Sequence, residues 1–87
     1  MSVYMVERDL PGISMEQLGA AQRSAIQTAE RFTQAGRSVR YLHSTFVPKE
    51  HRCMCLFEAN RSEDVAAVNQ EANIPYQRIV EALDLRP

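Results

Sequence analysis

The pattern of apolar and polar positions divides the chain into short blocks of alternating period. Val3 to Arg8 is rich in β-forming residues and is closed by Asp9-Leu10-Pro11-Gly12, a turn-forming cluster. The period then lengthens. From Met15 onward the apolar positions fall at Leu18, Ala21, Ala25, Ile26, Ala29 and Phe32, which trace one face of a helix. Ser14 stands three residues before Gln17, the spacing of a capping box, and Gly36 supplies the stop because a left-handed backbone costs glycine no steric penalty. The spacing predicts a helix over residues 14–35.

Val39 to Val47 and Arg52 to Ala59 return to β-branched and aromatic residues, separated by the turn Pro48-Lys49-Glu50, and so predict a hairpin. Ser62 is read as the cap of a second helix, with Glu63 and Asp64 in its first turn and Val65, Val68, Asn69 and Ala72 as its buried stripe. Asn73 and Pro75 close that helix, and residues 78–85 predict a fourth strand. The order is βαββαβ, for which the natural packing is α+β and ferredoxin-like: a four-stranded antiparallel sheet with both helices on one face. One sheet face is then left uncovered, which predicts a homodimer closed face to face.

At 87 residues there is room for one core, so the chain is read as a single domain over residues 1–87. Ten basic against eleven acidic residues leave a net charge of −1, which removes the positive surplus that nucleic-acid binding needs. The longest purely apolar run, Cys53 to Phe57, is far too short to span a membrane. Nothing at the amino end has the basic and apolar segments of a secretory signal, so the protein is expected in the cytoplasm. Reduced thiols fit that expectation, and Cys53 and Cys55 are read as buried structural residues. Three glycines cannot build a phosphate cradle, and no catalytic triad or dinucleotide fingerprint is present, which argues against an enzyme of those classes.

Strand parity then sorts the side chains. With an even hairpin loop, Tyr41 lies opposite Glu58, His43 opposite Leu56, Thr45 opposite Met54 and Val47 opposite Arg52, all on the open face. Leu42, Ser44, Phe46, Cys53, Cys55 and Phe57 face the helices. Strand one adds Met5 and Glu7 to the open face, and strand four adds Ile79, Glu81 and Leu83, with Val80 and Ala82 turned inward. Glu7, Glu58 and His43 form the candidate metal set, since carboxylate oxygen and imidazole nitrogen suit a divalent cation. Met5, Tyr41, Arg52, Met54, Leu56, Ile79 and Glu81 would line the pocket around it. The same lining would suit an organic ligand, with the domain acting as a small enzyme or carrier. A third reading is a plain dimer interface with internal ion pairs such as Glu58 with Arg52.

Val6-Glu7-Arg8-Asp9-Leu10-Pro11-Gly12, the strand end Cys55-Leu56-Phe57-Glu58-Ala59, and Ala72-Asn73-Ile74-Pro75 followed by Arg78-Ile79-Val80-Glu81 resemble a family of small bacterial domains of unknown function labelled nickel-binding-protein-like. The resemblance covers nearly the whole chain. It implies a ferredoxin-like fold, dimerisation through the sheets into an α/β barrel, and a divalent metal site with nickel as the namesake ion. Glu7 and Glu58 match positions of the family's motifs. Where many members carry a histidine in the second helix, this chain has Ala67-Val68-Asn69.

Overall fold

The computed structural model describes residues 1–87. Its elements are β1 (Ser2–Asp9), α1 (Met15–Gln34), β2 (Val39–Val47), β3 (Arg52–Ala59), α2 (Ser62–Glu71) and β4 (Arg78–Ala82), with a one-turn 3-10 helix at Pro48–Glu50 inside the hairpin. The strands form one antiparallel sheet in the order β2-β3-β1-β4. This is the ferredoxin-like arrangement. Helix α1 begins as its sequence dictates: the Ser14 hydroxyl accepts from the Gln17 amide, and the Gln17 side chain accepts from the Ser14 amide. It ends where Gly36 takes φ +92°, a conformation that a side chain would strain.

Every second residue of β1 and β3 points at the helices. Tyr4, Val6, Arg8, Cys53, Cys55, Phe57 and Ala59 are all buried there, beneath Ala25 and Ala29 of α1 and Val65 and Val68 of α2. Val6, Phe57, Val65 and Val68 lose all solvent contact, each stabilising the fold by about 1.5–3 kcal/mol. Helix α2 starts differently from its sequence reading. Ser62 is the first helical residue rather than the cap, and the preceding Arg61 makes no side-chain capping bond. Asp64 is buried instead, where Arg37 and Arg61 both donate to it at 2.8–3.1 Å.

Two departures from strict alternation reset the faces of the edge strands. In β2 the register slips at Leu42: His43 pairs with Leu56 as expected, but Tyr41 pairs with Phe57 and Arg40 with Glu58. Leu42 is the extra residue of a β-bulge. The slip puts Tyr41 and Ser44, three apart, on the same helix-facing side, their hydroxyls 2.5 Å apart and the Tyr41 ring edge-on to Phe57 at 5.4 Å. Gln22 of α1 donates to the same phenol oxygen at 3.0 Å. In β4, Ile79 pairs with Val6 and packs on the core, whereas Val80 pairs with Met5 and Ala82 with Val3 on the open side. Ile79 and Val80 are both apolar, so alternation does not choose between them. The choice is made by two hydrogen bonds, Gln77 N–H to the Glu7 carbonyl at 2.8 Å and Asp9 N–H to the Gln77 side chain at 2.5 Å. The strand stops at Ala82, three residues before its expected end.

Candidate functional site

The open face is a grid of cross-strand rows. One row runs Val80, Met5, Leu56, His43; the next, Arg78, Glu7, Met54, Thr45; a third, Ala82, Val3, Glu58, Arg40. Met5, Glu7, His43, Arg52, Met54, Leu56 and Glu58 therefore share this face as the sequence predicts. Tyr41 and Ile79 do not, because the bulge and the β4 register turn them to the helices. Glu81 pairs with Tyr4 on the helix-facing side of the edge strand, exposed. Leu83 lies beyond the strand and is 83% exposed.

Glu7 is the most enclosed carboxylate of the face, its side chain 10% exposed. Arg52 donates to its Oε1 at 2.8 Å and Arg78 to its Oε2. Two guanidinium groups thus occupy both oxygens. Arg52 also faces Asp9 at 3.4 Å, so its partners are Glu7 and Asp9 rather than the expected Glu58. Glu58 pairs with Arg40 at 3.4 Å and is held more loosely, at 32% exposure. His43 Nε2 lies 3.2 Å from Asp84 Oδ2. Because β4 and β2 are opposite edges of the sheet, this contact means that the stretch after Ala82 reaches across the open face. Arg86, then His43, hold the Asp84 carboxyl below its usual range.

Whether these residues fit a metal ion follows from the donors they leave free. No group of three or more His, Cys, Asp and Glu side chains converges in the chain. His43 with Asp84 is a nitrogen and oxygen pair on the open face, while Glu7 and Glu58 face arginines. A single protomer supplies too few free donors for a six-coordinate ion.

A second constellation lies on the opposite side of the sheet, and sequence reading passed over it. Between α1 and the covered face is a cavity of about 160 Å³, lined by apolar side chains together with Arg8, Gln22, Tyr41, Ser44, Cys53 and Cys55. Cys53 and Cys55 lie with their sulfurs 3.7 Å apart, and the Ser44 hydroxyl donates to Cys55 Sγ at 3.0 Å. Cys53 retains its proton, its pKa raised by the bond to Cys55 and by burial. The Cys55 pKa is lowered, chiefly because Cys53 donates to its thiolate, with help from the Arg8 charge. Arg8 lies cross-strand from Cys53. It points inward, 2% exposed, and donates to Asn69 Oδ1 at 2.8 Å and to the Pro75 carbonyl at 3.2 Å. The visible signal was its position, cross-strand from Cys53 on the apolar face.

Fold and surface define a small ferredoxin-like α+β domain with one helix-covered and one open sheet face. The chain belongs to the family described as nickel responsive protein SCO4226-like, whose profile matches residues 4–82. It is similar in structure to SCO4226 from Streptomyces coelicolor A3(2), with TM-score 0.82 and 21% identity over 97% of this chain and 100% of that one. At that identity the likeness carries the fold. No curated protein matches the chain.

Proposed function

We propose that this chain is a non-enzymatic binding protein for a divalent, nickel-type metal ion, acting as a homodimer in which the open sheet faces of two copies close on each other. The observation that carries the reading is the exposed His43–Asp84 pair on the face that no helix covers. Its ligands are His43, Glu58 and Glu7, with Asp84 beside His43. Imidazole and carboxylate together suit nickel and its neighbours in the divalent series. Glu58 is the more available carboxylate, being half-buried and only loosely paired, whereas Glu7 joins only by releasing Arg52 or Arg78. A second copy supplies the donors that one protomer lacks. Dimerisation is further supported by the apolar centre of the face, Val3, Met5, Met54, Leu56 and Val80, and by Leu83 and Leu85, more than four-fifths exposed beside it. The membership in a nickel-responsive family points to the same ion.

The same apolar rows favour a second reading, in which the dimer cavity holds an organic ligand. Calorimetric titration of the metal-stripped protein with nickel, beside sedimentation of each mixture, separates the two. The proposal expects stoichiometric binding to a dimer, weakened at least about 10-fold in His43→Gln and in Glu58→Gln. Binding unchanged in both variants, absence of binding, or a monomer that binds nickel fully would overturn it and leave the organic ligand as the reading to pursue.

A further inference from the structure

The thiol pair of the covered face is a second site with its own chemistry. Its floor is set by two neighbouring cross-strand rows, Phe46–Cys53–Arg8 and Ser44–Cys55–Val6, so both sulfurs, the guanidinium and a hydroxyl rise from one patch of sheet. Its roof is α1, where Ala21 and Ala25 are too small to fill the space and leave the cavity above the sulfurs. Arg8 is the unusual member. A guanidinium taken out of water normally has a carboxylate partner, because an unpaired buried charge is costly. Arg8 has none: its partners are an amide oxygen and a carbonyl. The negative charge it requires has to come from the sulfurs.

We infer that Cys53 and Cys55 form a binding site for a monovalent thiophilic cation of the copper(I) class, held between two thiolates with Arg8 as the compensating charge. Charge selects the ion. Two thiolates, one guanidinium and one monocation sum to zero, which an apolar cavity tolerates, whereas a divalent ion would leave a net positive charge there. Ligand number selects it as well, since no third His, Cys, Asp or Glu joins the pair and tetrahedral or octahedral divalent ions want four or more donors. Distance requires a small adjustment: sulfurs 3.7 Å apart with two metal–sulfur bonds of about 2.3 Å would bend the ion far from the linear geometry a two-coordinate monocation prefers. The cavity above them leaves room for the two thiols to rotate apart. Binding transfers no electron. The ion arrives as a monocation, two sulfur–metal bonds form, and the thiol protons leave to solvent. The site lies on the opposite sheet face from His43, so it is independent of the nickel-type reading.

The test is an anaerobic titration of the reduced full chain with copper(I) held by a competing chelator, run beside nickel(II) and zinc(II) and followed by near-ultraviolet charge-transfer absorption and by melting temperature. The expected result is one copper(I) per chain with a rise in melting temperature, as binding to the folded state demands. Binding should be lost in a Cys53→Ala, Cys55→Ala double variant that melts cooperatively, and unchanged in His43→Gln. Arg8→Lys, which keeps the charge, should retain binding, while Arg8→Gln should weaken it about 10–100-fold. Should the cysteine variant fail to fold, the wild-type melting shift still decides. A fall in melting temperature on adding copper(I), meaning capture by unfolded thiols, would overturn the proposal. Zinc bound as tightly as copper(I), or copper(I) retained without the cysteines, would do so equally.

Discussion

Arg8 of β1 and Asn69 of α2, 61 residues apart in the chain, meet inside the protein with Nη2 2.8 Å from Oδ1. The contact ties the sheet to the second helix at the point where a positive charge is buried. Asn69 also donates to the Val65 carbonyl one turn back at 2.9 Å, which holds its amide oriented towards Arg8. The second helix thus turns a residue inward that is committed to the guanidinium.

Replacing Asn69 with Leu should therefore cost more than a surface change. The guanidinium would keep only the Pro75 carbonyl, and a lost hydrogen bond to a buried charge is worth about 1.5–3 kcal/mol. Urea unfolding with an unchanged slope and a lower midpoint is the expected result. Asn69→Asp should behave differently, restoring a counter-charge to Arg8 and drawing it away from Cys55.

Cys55 should react with an alkylating agent at lower pH than a free thiol does. The proton that Cys53 donates and the nearby Arg8 charge both favour its thiolate, while burial limits access. Cys53, pushed the other way, should react far more slowly. Mass-spectrometric mapping of alkylation in the folded protein checks both, and the Asn69→Asp variant, which leaves the Cys53 donor in place, should slow Cys55 only modestly.

Asp64 should contribute an acid limb to stability. Arg61 and Arg37 lower its pKa below the ordinary 3.8, so the folded state binds this proton less readily than the unfolded chain. The stabilisation is fully present above the unfolded value and is lost as pH falls below 3.8 through the folded one. Asp64→Asn should melt lower than wild type near neutral pH, by about 1 kcal/mol because the two arginines are half-exposed. The gap should narrow in melting curves as pH falls below 3.8.

Deleting Leu42 should leave the face assignment of β2 intact. Once the extra residue is gone, Arg40–Glu58, Tyr41–Phe57 and His43–Leu56 form one continuous register, so Val39 and Tyr41 keep their places in the core and His43 its place on the open face. The expected result is a deletion variant that folds and unfolds cooperatively in urea; a variant that fails to fold would show that the bulge itself is required. Tyr41→Phe should lose only about 1 kcal/mol and leave metal binding on the other face unaltered.

The element order, the α1 cap at Ser14, its stop at Gly36 and the central strand faces were legible because each depends on neighbours in the chain: a side chain three residues away, a residue with no Cβ, or strict alternation as in Arg52 to Ala59. These local rules were sufficient to place Glu7, His43 and Glu58 on one open face. They failed at the two edge strands for different reasons. A one-residue bulge at Leu42 has no local signature, because it is stabilised by Tyr41 reaching Gln22 and Phe57 on other elements. The choice between Ile79 and Val80 depended on where Gln77 found hydrogen bonds in β1.

Sequence by itself thus determined the ferredoxin-like topology and the sharing of one sheet face by two carboxylates and an imidazole, since periodicity and turn chemistry act within a few residues. Only the tertiary structure decided that Glu7 is clamped by two arginines, that Asp84 crosses to His43, and that Arg8 is buried beside two thiols. Each of those is a meeting of charges between distant segments, and the geometry of such a meeting exists only once the sheet has closed.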